Sequence, residues 1–227
     1  MEVVAFVPIK LNNERLPGKN LKEFPDGTPL VRVILDTLCA LSEEKVIDRI
    51  YVYCSDPKIK AYLPERVSYL ERPRYLDEPQ TRGREIYREF VKAVPADVYV
   101  LAHATSPFVS KGHIRECIGQ VTGGTYDSAF CARKLQTFLW QGGKPVNFEL
   151  GHPPRTQDME PVYMELSTPY VFTREVFGCC QARTGKHPYL CECGEMECID
   201  IDDPEDFELA EAVYSYMQKR RTDSGSS

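Results

Sequence analysis

Long apolar runs are the first thing this sequence lacks: none approaches the roughly 18 residues that a membrane-crossing helix needs, so no membrane span is expected. A surplus of positive charge is missing too. With 28 Lys+Arg against 34 Asp+Glu the net charge is -6, which argues against a nucleic-acid binder built on a wide basic surface. Any anionic ligand must therefore be met by a local group of cations. The opening MEVVAFVPIK has neither the basic start nor the small-residue cleavage site of a secretory leader, and a cytoplasmic location is expected. The cysteines are nine, an odd number scattered from Cys39 to Cys198, which suits free thiols better than a disulfide framework. Neither GxxxxGK[ST] nor GxGxxG occurs, so no Walker or Rossmann phosphate loop is present by motif. No internal repeat or clear domain linker is visible.

What is present is an alternation of short strands and amphipathic helices, with 42% hydrophobic residues to supply a core. Residues 3–7 form an apolar, β-branched run, and Val31, Ile34, Leu35, Leu38 and Leu41 then recur at helical spacing. IYVYCSD, VSYLE, ADVYVLA and SAFCARK read as further strands. Helices are expected at 58–63, 84–94 (Ile86, Phe90, Val91 and Val94 inward) and 114–121. This order predicts an α/β fold, a largely parallel sheet with helices on both faces. From residue 137 the pattern changes: FLWQ-GGK-PVNF suggests a hairpin and GHPPRTQDMEP a proline-rich loop, so 137–166 is expected to leave the sheet. The single α/β domain then comprises 1–136 and 167–219. TPYVFT and MECIDIDD read as strands, Asp203, Pro204 and Asp206 as the start of a last helix with Phe207, Ala210, Val213 and Met217 inward, and 220–227 as a disordered tail.

Two stretches carry chemistry. Directly after the first strand, KLNNERLPGKN places Lys10, Arg15 and Lys19 around a turn at Pro17-Gly18, where ligands of open α/β sheets collect, and this suits a triphosphate. Asp200 and Asp202, two apart in extended chain, would share a face and suit a hard cation such as Mg2+. His187, Cys191, Cys193 and Cys198 form a looser set without a CxxC hook, and half-buried strand cysteines are the better account of it than zinc.

VPIKLNNERLPGKNLKEF, ERPRYLDE, LAHATSPF, RTQDMEPVYMELSTPYVF and ECIDIDDPEDFELAE resemble, in that order, the motifs of the acylneuraminate cytidylyltransferases. The opening is shared with the 3-deoxy-manno-octulosonate cytidylyltransferases. The resemblance implies a mixed, mostly parallel nucleotide-binding sheet of the nucleotide-diphospho-sugar transferase type. It also implies a dimerisation arm, a homodimer, and transfer of CMP from CTP to a sugar acid with Mg2+. It implies phosphate contacts for Lys10 (a lysine for the usual arginine), Arg15 and Lys19, and nucleoside contacts for Asn20, Arg72 and Thr81. His103 (for a glutamine), Thr105, Ser106, Gln157, Tyr163 and Glu165 fall on the sugar side, while Leu166-Ser167 replaces Asn-Gly and Val109 an arginine. A structural account stands beside several of these: His103 as a core histidine, Tyr163 and Tyr170 as packing residues, Glu165 as a solvated charge, Arg72 as the partner of Glu71 or Asp77. A glycosyltransferase with a DxD-like pair and a non-catalytic nucleotide-binding protein are the competing functions.

Overall fold

Val3–Ile9 (β1) is apolar along its length, as a strand covered on both faces must be, and all of it is buried except the half-buried Pro8. In the computed structural model, which describes residues 1–224, the chain continues through α1 (Leu30–Glu43), β2 (Arg49–Cys54), β3 (Val67–Glu71), α2 (Gly83–Ala93), β4 (Val98–Leu101), α3 (Lys111–Thr122) and β5 (Ser128–Leu135). Each answers an element legible in the sequence, and 58–63 proves to be a 3-10 helix over Pro57–Tyr62. β3, β2, β1 and β4 are neighbours in that order and parallel, so their carboxyl ends open along one edge.

The hairpin expected after β5 is present. β6 (Trp140–Gln141) and β7 (Lys144–Pro145) are joined by Gly142 and Gly143, whose φ values of 57° and 76° are those a type I′ turn requires. β8 (Val162–Thr173), α4 (Arg174–Cys180), β9 (Pro188–Glu192) and α5 (Pro204–Ser224) follow. β8 runs antiparallel between β4 and β5, and β9 lies parallel beside β5, giving the order β3-β2-β1-β4-β8-β5-β9. The sheet is therefore mixed and mostly parallel.

Three expectations are corrected. Residues 162–166 are the first part of β8, paired with β5, so the excursion ends before them. MECIDIDD is not a strand: Glu195–Cys198 is a 3-10 helix, and the extended chain after it makes one sheet-side hydrogen bond, Ile201 N–H to Thr105 O at 2.8 Å. Alternation signals an extended backbone, not a ladder partner. Residues 220–224 of the expected tail continue α5, and 225–227 lie outside the described residues.

The sheet separates two apolar layers by strand alternation. Ala5, Val7 and Val100 face Ile34 and Leu38 of α1 and Ile114 of α3; Phe6, Tyr99 and Phe172 face Phe90 of α2 and Phe177 of α4. A third cluster joins Phe24 and Leu16 to Phe207, Ala210 and Tyr214 of α5, so the last helix is packed against the chain just after β1.

Candidate active site

β1 delivers the chain into the 10–20 loop. Pro17 and Gly18 are the central residues of a turn closed by Lys19 N–H donating to Leu16 O at 3.1 Å, and Gly18, at φ 71°, takes the left-handed conformation that favours glycine. The turn drives the next two residues inward: Lys19 is 7% exposed and Asn20 5%. Asn20 Nδ2 donates to Lys10 O at 2.9 Å and so ties the two ends of the loop together. Lys19 Nζ donates to Ile201 O at 2.7 Å and lies 3.2 Å from Asp202 Oδ1, while Arg15 Nη2 lies 2.8 Å from the same oxygen. Loop and acidic segment, far apart in sequence, meet here.

Burial pushes the Asp202 carboxyl up, but Lys19 and then Arg15 outweigh it and hold the group below the usual carboxylate value. Both contacts use Oδ1; Oδ2 takes part in neither. Asp200 Oδ2 accepts from Ser167 Oγ at 2.5 Å. Ile201 is buried, Asp200 exposed and Asp202 half-buried, an alternation along this extended chain although no ladder forms. Two carboxylates joined by phosphate oxygens are the donor set that magnesium accepts, and the residues fit such an ion. Asp203 and Asp206 hold the start of α5 as expected: Asp206 Oδ2 accepts from Asp202 N–H and Asp203 N–H at 2.9 and 3.1 Å, and Asp203 Oδ1 from Asp206 N–H at 3.4 Å.

A cavity of about 340 Å³ opens beside the loop, lined by Lys10, Lys19, Asn20, Arg72, Thr81, His103 and Thr105 among others. Arg72 is 2% exposed and paired with the Asp77 carboxylate, to which Ser55 Oγ also donates; its Nε is buried without a partner. Thr81 Oγ1 donates to Tyr75 O at 3.2 Å. Thr105 borders the cavity, but Ser106 is buried, its N–H donating to His103 O at 3.2 Å, so it shapes the turn and does not line the space.

His103 is half-buried at the cavity wall. Its Nδ1 lies 2.5 Å from Ser167 O, and since a carbonyl only accepts, Nδ1 carries the proton and Nε2 keeps its lone pair, 3.4 Å from Tyr87 Oη. Desolvation lowers the imidazole pKa below its ordinary 6.5, with the Arg183 charge adding to it against the Ser167 hydrogen bond. The ring is held by an irregularity of β8: Phe130 pairs with Tyr170 and Ala132 with Glu165, so residues 166–169 stand opposite Cys131 alone. Thr168 Oγ1 in that bulge accepts from His103 N–H at 2.7 Å.

Gln157 and Tyr163 are not brought to this cavity. Gln157 lies exposed in the 3-10 helix Thr156–Asp158, and Tyr163 Oη donates to Glu192 Oε1 at 2.6 Å across β5. Glu165 reaches it indirectly. It accepts from Tyr170 Oη and sits 3.2 Å from Arg183 Nη2, whose guanidinium covers the Tyr170 ring at 3.7 Å and donates from Nη1 to Tyr87 Oη at 3.4 Å.

A cytidylyltransferase family model matches residues 4–172. This chain belongs to the cytidylyltransferase family. It is 25% identical over 220 residues to the N-acylneuraminate cytidylyltransferase of Oncorhynchus mykiss, covering 92% of this chain and 49% of that protein. It is also 25% identical over 219 residues to N-acylneuraminate cytidylyltransferase A of Danio rerio, covering 92% and 50%. The chain thus spans about half the length of the curated relatives it matches. In fold it is similar to a CMP:2-keto-3-deoxy-manno-octonic acid synthetase complexed with CTP (TM-score 0.70, 14% identity, 96% of this chain and 100% of that one). It is similar as well to the 4-diphosphocytidyl-2C-methyl-D-erythritol synthase of Anaerococcus prevotii (TM-score 0.67, 16% identity, 96% and 98%).

Within this cytidylyltransferase fold, two site residues escaped the sequence. Tyr87 is buried while Ile86 is only half-buried, and its spacing of three from Phe90 and four from Val91 was the available signal. Arg183 sits in a loop with no periodicity and gave no signal at all.

Proposed function

We propose that this chain transfers CMP from CTP to the anomeric hydroxyl of a 2-keto-3-deoxy sugar acid, a sialic acid or related nonulosonate, with release of pyrophosphate. The observation that carries it is the meeting of Lys19, Arg15 and Asp202 at the edge of a cavity lined by Lys10, Arg72 and His103. Cations on one side and a carboxylate pair on the other form the two halves of a metal–triphosphate site.

In the reaction the sugar oxygen attacks the α-phosphorus, its hydroxyl proton passes to water, and the bond to pyrophosphate breaks in line. Positioning and charge neutralisation then carry most of the catalysis. Lys10, Arg15 and Lys19 stabilise charge on the departing pyrophosphate. Asn20, Arg72 and Thr81 hold the nucleoside, and the Arg72–Asp77 pair keeps the guanidinium in place. His103 offers Nε2 as an acceptor to a sugar hydroxyl, with Thr105 beside it and Ser106 behind. Glu165 acts through Arg183, a cation near the sugar side in a chain that has Val109 where the family has arginine. A magnesium ion held by Asp200 and Asp202 would supply further neutralisation of the triphosphate.

The same proposal includes a homodimer and a cytoplasmic setting. The excursion between β5 and β8 exposes Trp140, Val146 and Leu150, an apolar arm for a second copy, and Gln157 on that arm would serve the partner's cavity. All nine cysteines are free, as a reducing compartment keeps them.

Pyrophosphate release from CTP and magnesium with N-acetylneuraminate, legionaminate, pseudaminate and 3-deoxy-manno-octulosonate tests the reading. Release with one of the nonulosonates is expected. Release with the octulosonate alone moves the assignment to that sugar, and CTP binding without release from any of them leaves a nucleotide binder.

A further inference from the structure

The nucleotide site leaves unused a knot of sulfur on the α3 side of the sheet. Cys117 of α3, Cys131 of β5 and Cys191 of β9 are each at most 1% exposed, and their Sγ atoms lie within 4.8 Å of one another. Cys117 Sγ and Cys131 Sγ are 4.0 Å apart, and Cys131 and Cys191 are register partners on neighbouring parallel strands, so both point to the same face. The knot opens outward through two more ligands. His113, one turn before Cys117 on α3, and Cys193, just past β9, have ligand atoms within 4.8 Å of each other and of Cys191 Sγ. His113 Nδ1 lies 3.5 Å from Cys193 Sγ and 2.8 Å from Glu197 Oε2.

A buried cysteine is ordinarily a small apolar side chain, and one or two here would need no other account. Convergence of four thiols and an imidazole from α3, β5, β9 and the loop after it is different. In a tetrahedral zinc site with Zn–S bonds of about 2.3 Å, neighbouring sulfurs are about 3.8 Å apart, close to the spacing found between Cys117 and Cys131. Sulfur and imidazole select a borderline or soft ion and are poor ligands for magnesium, so this set and the Asp200–Asp202 pair call for different metals.

We propose that Cys117, Cys131 and Cys191, with Cys193 or His113 as fourth ligand, form a structural zinc site. Each thiol gives its proton to solvent on binding, so affinity falls as pH falls. The ion ties α3, β5 and β9 together and anchors the chain that leads from Cys193 through Glu197, whose carboxylate also accepts from Ser110 N–H at 3.0 Å, to Asp200 and Asp202. The ligand set differs from the one the sequence offered. His187 stacks on Tyr126 instead, with ring centroids 4.9 Å apart, and Cys198 Sγ donates to Gly194 O at 3.2 Å.

The test uses the full chain with the adjacent Cys179, exposed, and Cys180, half-buried, both changed to serine, since neighbouring thiols near the surface bind metal on their own account. The protein is kept reduced, stripped, and titrated with Zn(II) against a chelator and separately with Co(II). One zinc per chain is expected, as are a thiolate-to-cobalt charge-transfer band, the intense visible bands of tetrahedral cobalt, and a raised thermal midpoint. Cys117→Ser and Cys191→Ser should each weaken zinc binding by at least about a hundredfold, Cys39→Ser should not, and loss on either Cys193→Ser or His113→Gln identifies the fourth ligand. Substoichiometric zinc, weak octahedral cobalt bands, or a Cys117–Cys131 disulfide in place of metal in the unsubstituted core would overturn the site whether or not the serine variants fold.

Discussion

Lys19 sets the residue scale, because a buried ammonium is costly unless its donors are met, and here Ile201 O and Asp202 meet them. Asp202 holds Lys19 and Arg15 through one oxygen, and the proposed magnesium site would give it a second task. Asp202→Asn is therefore expected to lower CMP transfer by about a hundredfold or more while costing no more than about 1 kcal/mol, since the side chain is 44% exposed and solvent screens the pairs. Steady-state kinetics and denaturant melts on one preparation check both halves; near-normal turnover with magnesium would sink the metal assignment. His103 makes a second test. Its folded pKa lies below 6.5, so between those two values the unfolded chain binds more protons, and the stability due to the neutral ring is lost as pH falls below about 6.5. His113 works on the other side: burial lowers its pKa, the Glu197 carboxylate more than restores it, and its contribution fades as pH rises above 6.5. The thermal midpoint of the parent chain should thus fall relative to that of His103→Gln on acidification below pH 6.5, whatever their offset at neutral pH. The variant should keep CTP turnover and shift the ranking of sugar acids. Unchanged sugar preference would remove His103 from the sugar side.

At the scale of elements, the 10–20 loop owes its shape to one backbone conformation. A Cβ on Gly18 would meet no atom within 4 Å, so Gly18→Ala tests the left-handed φ alone. It should cost about 1 kcal/mol, raise the KM for CTP and lower kcat, because Asn20 and the pyrophosphate-stabilising Lys19 would no longer be aimed inward as well. An unaltered KM would mean that the turn does not position the cations. Local chemistry of this kind is what the sequence displays openly: Pro17-Gly18, the Gly142-Gly143 hairpin and the Asp203–Asp206 cap all stand where turn and cap rules put them. β8 shows where such reading stops. Its first half carries Glu165 and exposed Met164 beside the proline-rich loop, so nothing local marks it as a central strand, and the 166–169 bulge depends on pairing with β5. The contact of His103 with Ser167, and through Ser167 with Asp200, exists only because of that bulge. Likewise the Arg72 partner was narrowed to two acids by proximity in sequence, and only the fold chose Asp77.

For the whole molecule, the chain just after β1 is packed against a helix distant in sequence. Phe24 stacks on Tyr214 at 4.2 Å and on Phe207 at 5.3 Å between ring centroids, and this cluster seats α5, whose start follows directly on Asp202. Phe207→Ala should cost about 3–5 kcal/mol and lower activity beyond the loss explained by unfolding, as the acidic segment loosens. Activity per folded molecule equal to the parent's would show that α5 supports stability alone. The arm poses the remaining question of scale. Phe138, Trp140 and Phe148 pack among themselves, with centroids 4.5 and 5.5 Å apart, so the hairpin has a small core of its own. Yet Trp140 stays 56% exposed, Val146 54% and Leu150 66%, while the sheet beneath contributes little exposed apolar surface apart from Met164. Covering such apolar groups is favourable, and a second copy of the chain brings the same patch to a two-fold interface. Light scattering on the eluting protein should then give the mass of two chains, and Trp140→Glu, which places a charge where the partner would desolvate it, should give one chain with its thermal unfolding still cooperative. If the parent protein elutes as one chain across its concentration range, or the charge leaves a dimer intact, the arm does not pair two copies.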